Sequence, residues 1–359
     1  MTQCPACGET ATRPLFWKAD GAETAWPGVK PPGTGGYQIV GCVTCGLGRV
    51  DPLPTPEELA ALYQRDYFAP PRFVGRASDG LLAYRANPGR TRLDTVRAAS
   101  EHAYEVAHVR RLGGWYAQLS AASPPTIPLP PSSPTYGGRK GEQRRLRFLD
   151  VGSGRGGVLR AARAMGWTAV GVEPSAVAAR LAAQQGLTVV PTTLPEAGFP
   201  DAVFDIVHLR EVLEHVSDPL ALLGEARRIL RPGGLLYVQV PNDLAGYRRY
   251  LFRRVWWLIP PYHLWYFTAA SLEQLLARVG LTIQAQGTLG MGVGYDAYRS
   301  IGATLGVLPW LDAHEDGPLA LVPRLTRAAF RLAGTPADAA LNRAQRHSSL
   351  WFCACYVEN

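Results

Sequence analysis

The chain has 359 residues, of which 47% are hydrophobic, and a net charge of +8. The length suggests about two domains, and the apolar content suffices for packed cores. No run of about 18 uncharged apolar residues exists, so no membrane span is expected. The excess of positive charge favours anionic partners such as phosphates, nucleotides, acidic sugars or nucleic acid. The arginines are spread along the chain, however, and free use of arginine by the genome explains the same balance. The N-terminus, "MTQCPACGET", lacks the basic and apolar regions of a secretory signal, so a cytoplasmic location with reduced thiols is expected.

Residues 1–54 hold four of the six cysteines and many turn formers, as in "PGVKPPGTGG". Cys4, Cys7, Cys42 and Cys45 form two Cys-x-x-Cys pairs, each followed by a glycine, Gly8 or Gly46. One such turn presents two thiolates on one tetrahedral edge, and two turns complete a Zn²⁺ site. Disulfides or a redox pair are the rival readings. Four protein thiolates leave no open position, so the expected zinc is structural. Residues 55–119 read as a helical connecting region. Thr55 can cap a helix with Pro56 at its first position and Glu58 closing a capping box. A longer helical pattern runs from about 92 to 119. Residues 120–145, rich in proline and serine, read as a flexible linker.

From 146 to 359 the texture is that of an α/β domain. Apolar strands alternate with helices: "RFLDVG", helix 156–165, "TAVGVE", helix 175–185, "LTVV", "FDIVHL", helix 219–230 and "LLYVQVP". This alternation predicts a doubly wound parallel sheet. "LTIQAQG" and "SSLWFCACYV" read as two further strands. A lid or insert is expected near 243–267, and the pattern leaves 291–346 undetermined. Cys353 and Cys355 alternate onto one strand face and read as core residues.

The first strand of this region breaks into glycines. Gly152, Gly154 and Gly157 fit G-x-G-x-x-G, a weak signal shared by any strand–loop–helix that lets a ligand approach the backbone. Glu173, at the end of the next strand, suits the ribose of NAD or of another adenosine ligand. Asp150 separates these. A carboxylate beside the loop repels a pyrophosphate and attracts an ammonium or a sulfonium. The cofactor with adenosine, ammonium and sulfonium, and no phosphate, is S-adenosylmethionine. The competing reading makes Asp150 a capping residue.

Here the chain resembles the class I S-adenosylmethionine-dependent methyltransferases. The resemblance rests on "LDVGSGRGG", "VGVEPS", "FPDAVFDIVHLREVLEHVSDP" and "RILRPGGLLYVQVPN". It extends to a subgroup with an N-terminal Cys4 zinc-binding module, through "CPACG", "CVTCGLGRVDPLPTPEELAALYQRDYF" and "WWLIPPYHLWYFTAASLEQLLARVGL". Many members of that subgroup methylate small molecules, including sugars and secondary metabolites. The resemblance implies a seven-stranded Rossmann-like sheet whose last strand, "SSLWFCACYV", is antiparallel. By matching position it implies Asp150, Gly152 and Gly154 at the methionine part and Glu173 at the ribose. It places Thr193 and Leu194 near the adenine, where the family often has an acid, and Arg210 and Glu211 along the site.

Methyl transfer is an in-line displacement in which positioning supplies about 7–11 kcal/mol. A hydroxyl or carbon acid also needs proton removal, worth roughly 10²–10⁴-fold. "EVLEHV" offers His215 as the base and Glu214 to orient it, at the mouth where open sheets bind ligands. In some sugar C-methyltransferases that resemble this chain, the Glu-His pair takes part in catalysis. The bland alternative is a packing or capping histidine. Tyr262, His263 and Tyr266 would close over a substrate as a lid. A tryptophan-packed helix, a membrane-surface helix and a dimer contact compete for the same segment. Tyr67 is a further substrate candidate, although the Tyr/Ser-rich run of sugar C-methyltransferases does not follow it.

The expected function is methylation of a sugar or other metabolite at oxygen, nitrogen or carbon, with S-adenosylmethionine and a structural Zn²⁺ as cofactors. A nucleic-acid methyltransferase is disfavoured. The place after the fourth strand reads "REVLEH" rather than Asn/Asp-Pro-Pro-aromatic, and no nucleophilic cysteine lies near the mouth. A non-catalytic scaffold that kept the fold is the other rival.

Overall fold

The computed structural model describes residues 3–16, 38–55, 57–59, 92–122, 145–242, 244–245, 263–289, 325–326, 329, 336–341, 343–344 and 349–356, with the side chains of 92–101 and 120–122 excepted. Tyr67, Tyr262, Pro56, most of the 120–145 linker and nearly all of 291–346 lie outside the described residues.

A seven-stranded sheet is the frame. Its strands are β4 (Arg147–Val151), β5 (Thr168–Val172), β6 (Val189–Val190), β7 (Phe204–Arg210), β8 (Leu230–Pro241), β10 (Thr282–Leu289) and β11 (Ser349–Cys355). They run in the order β10-β11-β8-β7-β4-β5-β6. The pairs β7–β8, β4–β7, β4–β5 and β5–β6 are parallel, and β11 is antiparallel to both neighbours. The expected mixed sheet with one reversed strand is present. Parallel strands need crossovers, and the helices supply them: α2 (Gly157–Ala164), α3 (Ala176–Ala183) and α4 (Pro219–Ile229). Their starts follow from local chemistry. Ser175 accepts a hydrogen bond from Ala178 N, and Asp218 accepts one from Ala221 N with Pro219 in the first turn. The capping box at Thr55 and Glu58 is closed in both directions, at 2.8 and 3.2 Å.

Strand alternation sorts the core onto two faces. Leu149, Val151, Val207, Leu209, Leu236 and Val238 pack with α4 and α5 (Ala269–Arg278). Phe148, Ile206, Leu235, Tyr237 and Cys353 pack on the other side with α2 and α1 (Arg92–Ala122). Cys353 and Cys355 are both buried, as their alternation predicts. Helix α1 belongs to the sheet rather than merely connecting to it. Tyr116 donates to Asp205 at the start of β7, and Glu105 accepts from Arg210 at its end. The eleven residues from 105 to 116 rise about 16 Å at 1.5 Å each. The five steps from 205 to 210 cover about the same length at 3.3 Å each. The helix therefore lies along the strand in the opposite direction.

A second sheet, β1-β2-β3-β9, joins β1 (Thr12–Phe16), β2 (Gln38–Cys42) and β3 (Gly48–Asp51) to β9 (Trp265–Tyr266). The cysteine-bearing segment is thus paired with residues far along the chain: Gly48 faces Tyr266 and Arg49 faces Trp265. Arg278 of α5 donates to the Pro5 carbonyl at 2.6 Å, and Cys4, Cys42 and Cys45 are continuous with the core around Trp265 and Phe267. Among the described residues, no helix is long and apolar enough to cross a membrane.

Candidate active site

The C-terminal ends of β4, β5 and β7 meet at the glycine loop. Gly152 and Gly154 have φ of +68° and +52°, values that suit glycine. A Cβ on Gly154 would meet nothing within 4 Å, whereas one on Gly152 would stand 2.6 Å from Val212 Cγ2. The loop thus leaves an open cradle at Gly154 and is pinned at Gly152 by the turn that follows β7. Glu173 is buried at the end of β5. It accepts from Gly154 N through Oε2 and from Ser175 N through Oε1, both at 2.8 Å. Burial raises its pKa, and the two backbone N–H groups work against that shift. Each oxygen keeps acceptor capacity for a ligand hydroxyl.

Asp150 is buried, and burial pushes its carboxyl up to about 7 while Arg210 pulls it down. Its Oδ1 lies 2.8 Å from His208 Nδ1, and His208 Nε2 lies 3.0 Å from His108 Nε2 on α1. The sheet register sets this up: Asp150 faces His208, which faces Tyr237. The His208 and Tyr237 rings stack 5.2 Å apart at 7°. Burial, reinforced by Arg210, pushes His208 down to about 3. Burial, with His208, Arg210 and Arg111 adding to it, pushes His108 down to about 2.

Arg210, expected along the cofactor, is committed to α1 through a bidentate pair with Glu105, at 2.8 and 3.0 Å. Burial opposes its charge, but the Glu105 carboxylate overrides this and holds its pKa above the usual range. Glu211 has φ of +56°, donates its N–H to the Gln239 carbonyl and accepts from Gln239 Nε2. Thr193 is exposed, and its hydroxyl donates to Glu196 at 2.8 Å. Leu194 is buried in the apolar core, so of the two adenine candidates only Thr193 faces solvent.

Beyond β7 the 3₁₀ turn Leu213–His215 carries the proposed base. Glu214 is fully buried and His215 nearly so, with His215 Nε2 at 3.7 Å from Glu214 Oε1. His263 comes to the same place, its ring 4.8 Å from that of His215 and edge-on to it. Donor atoms of Glu214, His215 and His263 all lie within 4.8 Å of one another. A carboxylate and two imidazoles at this spacing can share a proton or hold a cation. Two backbone-directed bonds bring the segments together: Leu264 N to the Glu214 carbonyl at 2.7 Å, and Trp265 Nε1 to the Val216 carbonyl at 2.8 Å.

Tyr266, expected over the substrate, is buried with Ile39, Val50 and Leu244. The cause is β9: pairing with β3 turns alternate side chains to opposite sides and fills the second sheet's core with this ring. Sequence reasoning also missed His208, Glu105 and His108. A histidine within the apolar run "FDIVHL" was the available signal for the first.

The four cysteines converge as expected. Sγ atoms lie 3.5 Å apart for Cys4 and Cys45, and 3.4 Å for Cys7 and Cys42, with all four within 4.8 Å. Thiolates on one tetrahedral Zn²⁺ stand about 3.8 Å apart, from a Zn–S bond of about 2.3 Å, so the cluster fits that ion. Gly8 and Gly46, with φ of +79° and +75°, donate back to the Cys4 and Cys42 carbonyls and close the two turns. Burial pushes the Cys4 and Cys45 thiols up.

Residues 110–286 match a protein family described as a methyltransferase domain. Over these residues the chain carries a methyltransferase domain. It is 42% identical over 103 residues to a ubiquinone biosynthesis O-methyltransferase of Bradyrhizobium sp. (strain ORS 278), covering 27% of this chain and 40% of that one. It is 32% identical over 170 residues to the enzyme of the same name from Rhodopseudomonas palustris (strain BisB5), covering 43% and 65%. The chain therefore spans between two fifths and two thirds of the length of these relatives. A solved S-adenosylmethionine-dependent methyltransferase of Archaeoglobus fulgidus aligns at 15% identity and a TM-score of 0.38, over 59% of this chain and 86% of that one. The observed donors suit S-adenosylmethionine. The Gly154 cradle is open, Glu173 retains acceptors for hydroxyls, and Asp150 offers a carboxylate.

Proposed function

We propose that this methyltransferase transfers a methyl group from S-adenosylmethionine to an oxygen of a small-molecule acceptor, a sugar or another metabolite. The observation that carries the reading is the Glu214–His215–His263 cluster, whose first two members lie on the turn whose Val212 rests against Gly152. When bound, S-adenosylmethionine supplies an electrophilic methyl on a cationic sulfur. Gly152 and Gly154 let the backbone approach it, Asp150 faces its ammonium, and Glu173 accepts from its ribose. Thr193 borders the adenine. His215 takes the acceptor proton at a ring nitrogen. Glu214 orients the imidazole, and His263 packs edge-on against it. Tyr262 and Tyr67, outside the described residues, are kept as candidates for contact with the acceptor. The names of the curated relatives support a hydroxyl acceptor, since those proteins are O-methyltransferases.

Cys4, Cys7, Cys42 and Cys45 are proposed to hold one structural Zn²⁺, with no coordination position left for chemistry. Incubation with methyl-labelled S-adenosylmethionine and a host metabolite extract tests the activity. A labelled small molecule, absent with His215→Asn, is the expected outcome. Label appearing only in nucleic acid or protein would overturn the acceptor class.

A further inference from the structure

Helix α1 sends two side chains to the sheet's mouth that methyl transfer itself does not use. His108 is buried against His208, and Glu105 clamps Arg210. Both of their partners sit on β7, beside Asp150. We propose that His108 and Glu105 are positioning residues of the cofactor site. They act through His208 and Arg210 to set the direction and charge of the Asp150 carboxylate, so that seating an ammonium there releases one proton. The inference rests on the reading that Asp150 faces the cofactor's ammonium.

Proton counting on the Asp150–His208–His108 chain carries it. Two nitrogens facing each other across 3.0 Å hold one bridging proton between them. With Asp150 ionised, His208 Nδ1–H donates to Asp150, and His208 Nε2 accepts from His108 Nε2–H. The chain then holds two protons and one negative charge. With one proton added at Asp150 Oδ1, each bond reverses. The Asp150 hydroxyl donates to His208 Nδ1, His208 Nε2–H donates to His108 Nε2, and His108 carries its third-site proton on Nδ1. The chain is then neutral. With the proton on Oδ1 the chain takes it up or loses it as a unit; a proton on Oδ2 is the competing arrangement, which leaves both bonds as they are and switches neither ring.

The surroundings place this exchange near neutrality. From β7, Arg210 favours the carboxylate; from β5, Glu173 opposes it. Tyr237 of β8 stacks on His208 and has its own phenol held up, burial being the largest cause. On α1, Arg111 disfavours charge on His108, Tyr104 adds to the field at Arg210, and Glu105 neutralises Arg210. Cys353, opposite Tyr237 on β11, is held up to about 12 by burial and stays protonated. Burial dominates at Asp150 and lifts its carboxyl to about 7. An arriving ammonium favours the ionised chain and expels the proton.

The test is calorimetric titration of S-adenosylhomocysteine between pH 6 and 8.5, in pairs of buffers with different ionisation enthalpies. The expected result is release of a fraction of a proton that rises towards one below a midpoint near pH 7. Affinity should increase about tenfold per pH unit on that acidic side. His108→Phe keeps a ring but removes both nitrogens. It should move the midpoint by half a unit or more, whereas a merely structural role would weaken binding equally at every pH. In the wild-type protein, isotope-edited NMR of the histidine rings should show His108 and His208 switching tautomer together, at a midpoint that falls on adding S-adenosylhomocysteine. Binding without proton release, separate switching of the two rings, or an unmoved midpoint in His108→Phe each overturns the proposal. No binding of S-adenosylhomocysteine at any pH overturns the cofactor reading instead.

Discussion

Two alanine substitutions, two residues apart in the glycine loop, should separate folding from binding. At Gly154 the added methyl meets nothing within 4 Å, and the penalty on the fold is backbone strain at φ +52° alone. A left-handed non-glycine residue costs roughly 1–2 kcal/mol. At Gly152 the strain is similar, with φ +68°, but the methyl also stands 2.6 Å from Val212 Cγ2. Carbon atoms prefer about 3.5–4.0 Å, so Val212 must shift by about 1 Å. Overpacking of that kind costs about 1–3 kcal/mol. Gly152→Ala should therefore lose roughly 2–5 kcal/mol, against 1–2 for Gly154→Ala.

Binding should rank the other way. The space open to the Gly154 methyl is the space the cofactor is proposed to fill. Displacing the ligand enough to cost about 1.4 kcal/mol lowers affinity tenfold. Urea unfolding of both variants and S-adenosylhomocysteine calorimetry of Gly154→Ala make the comparison. Wild-type affinity in Gly154→Ala would refute the cradle. Equal stability of the two variants would refute the contact with Val212.

Other substitutions probe other layers. Protein purified without added metal should carry about one zinc per chain, and iron in its place or disulfide-paired cysteines would sink the Cys4 assignment. His215→Asn should slow single-turnover methyl transfer by roughly 10²–10⁴-fold with S-adenosylhomocysteine affinity unchanged; near-wild-type rates would make His215 structural. Asp205 is fully buried and holds Arg231, Tyr116 and the Arg147 amide. Asp205→Ala removes these three bonds from a buried carboxylate and should cost about 3–5 kcal/mol of unfolding free energy; a loss under 1 kcal/mol would show that solvent replaces the carboxylate.

Single-strand patterns carried much of this fold. The run from Arg147 to Pro241 alternates in a way that only a parallel sheet with crossovers satisfies. Thr55 with Glu58, and each cysteine pair with its glycine, specify geometry within a few residues. What escaped depends on pairings that no single segment reveals. His208 becomes part of the site because β4–β7 register sets it opposite Asp150. Glu105 and His108 carry no signal of their own, because polar residues on a connecting helix give no sign of a polar layer beneath. Tyr266 read as a lid residue because its neighbours are aromatic and basic. Its burial follows from β9 finding β3, a pairing between distant parts of the sequence.

That same pairing ties the cysteine cluster to the candidate base. Cys42 ends β2, Cys45 precedes β3, and β3 holds β9 in register through Gly48 and Arg49. Val50 N also donates to the Leu264 carbonyl at 2.9 Å, one residue from His263. Leu264 N in turn donates to the Glu214 carbonyl. Residue 264 is thereby held from both sides, by the cysteine-bearing sheet and by the turn that carries His215. The four thiols and the Glu214–His215–His263 group form two separate clusters. The distance between the two imidazoles nevertheless depends on where β3 lies, and the Cys-x-x-Cys turns fix where β3 begins. Under the proposed reading, the metal's contribution to methyl transfer is the placement of His263.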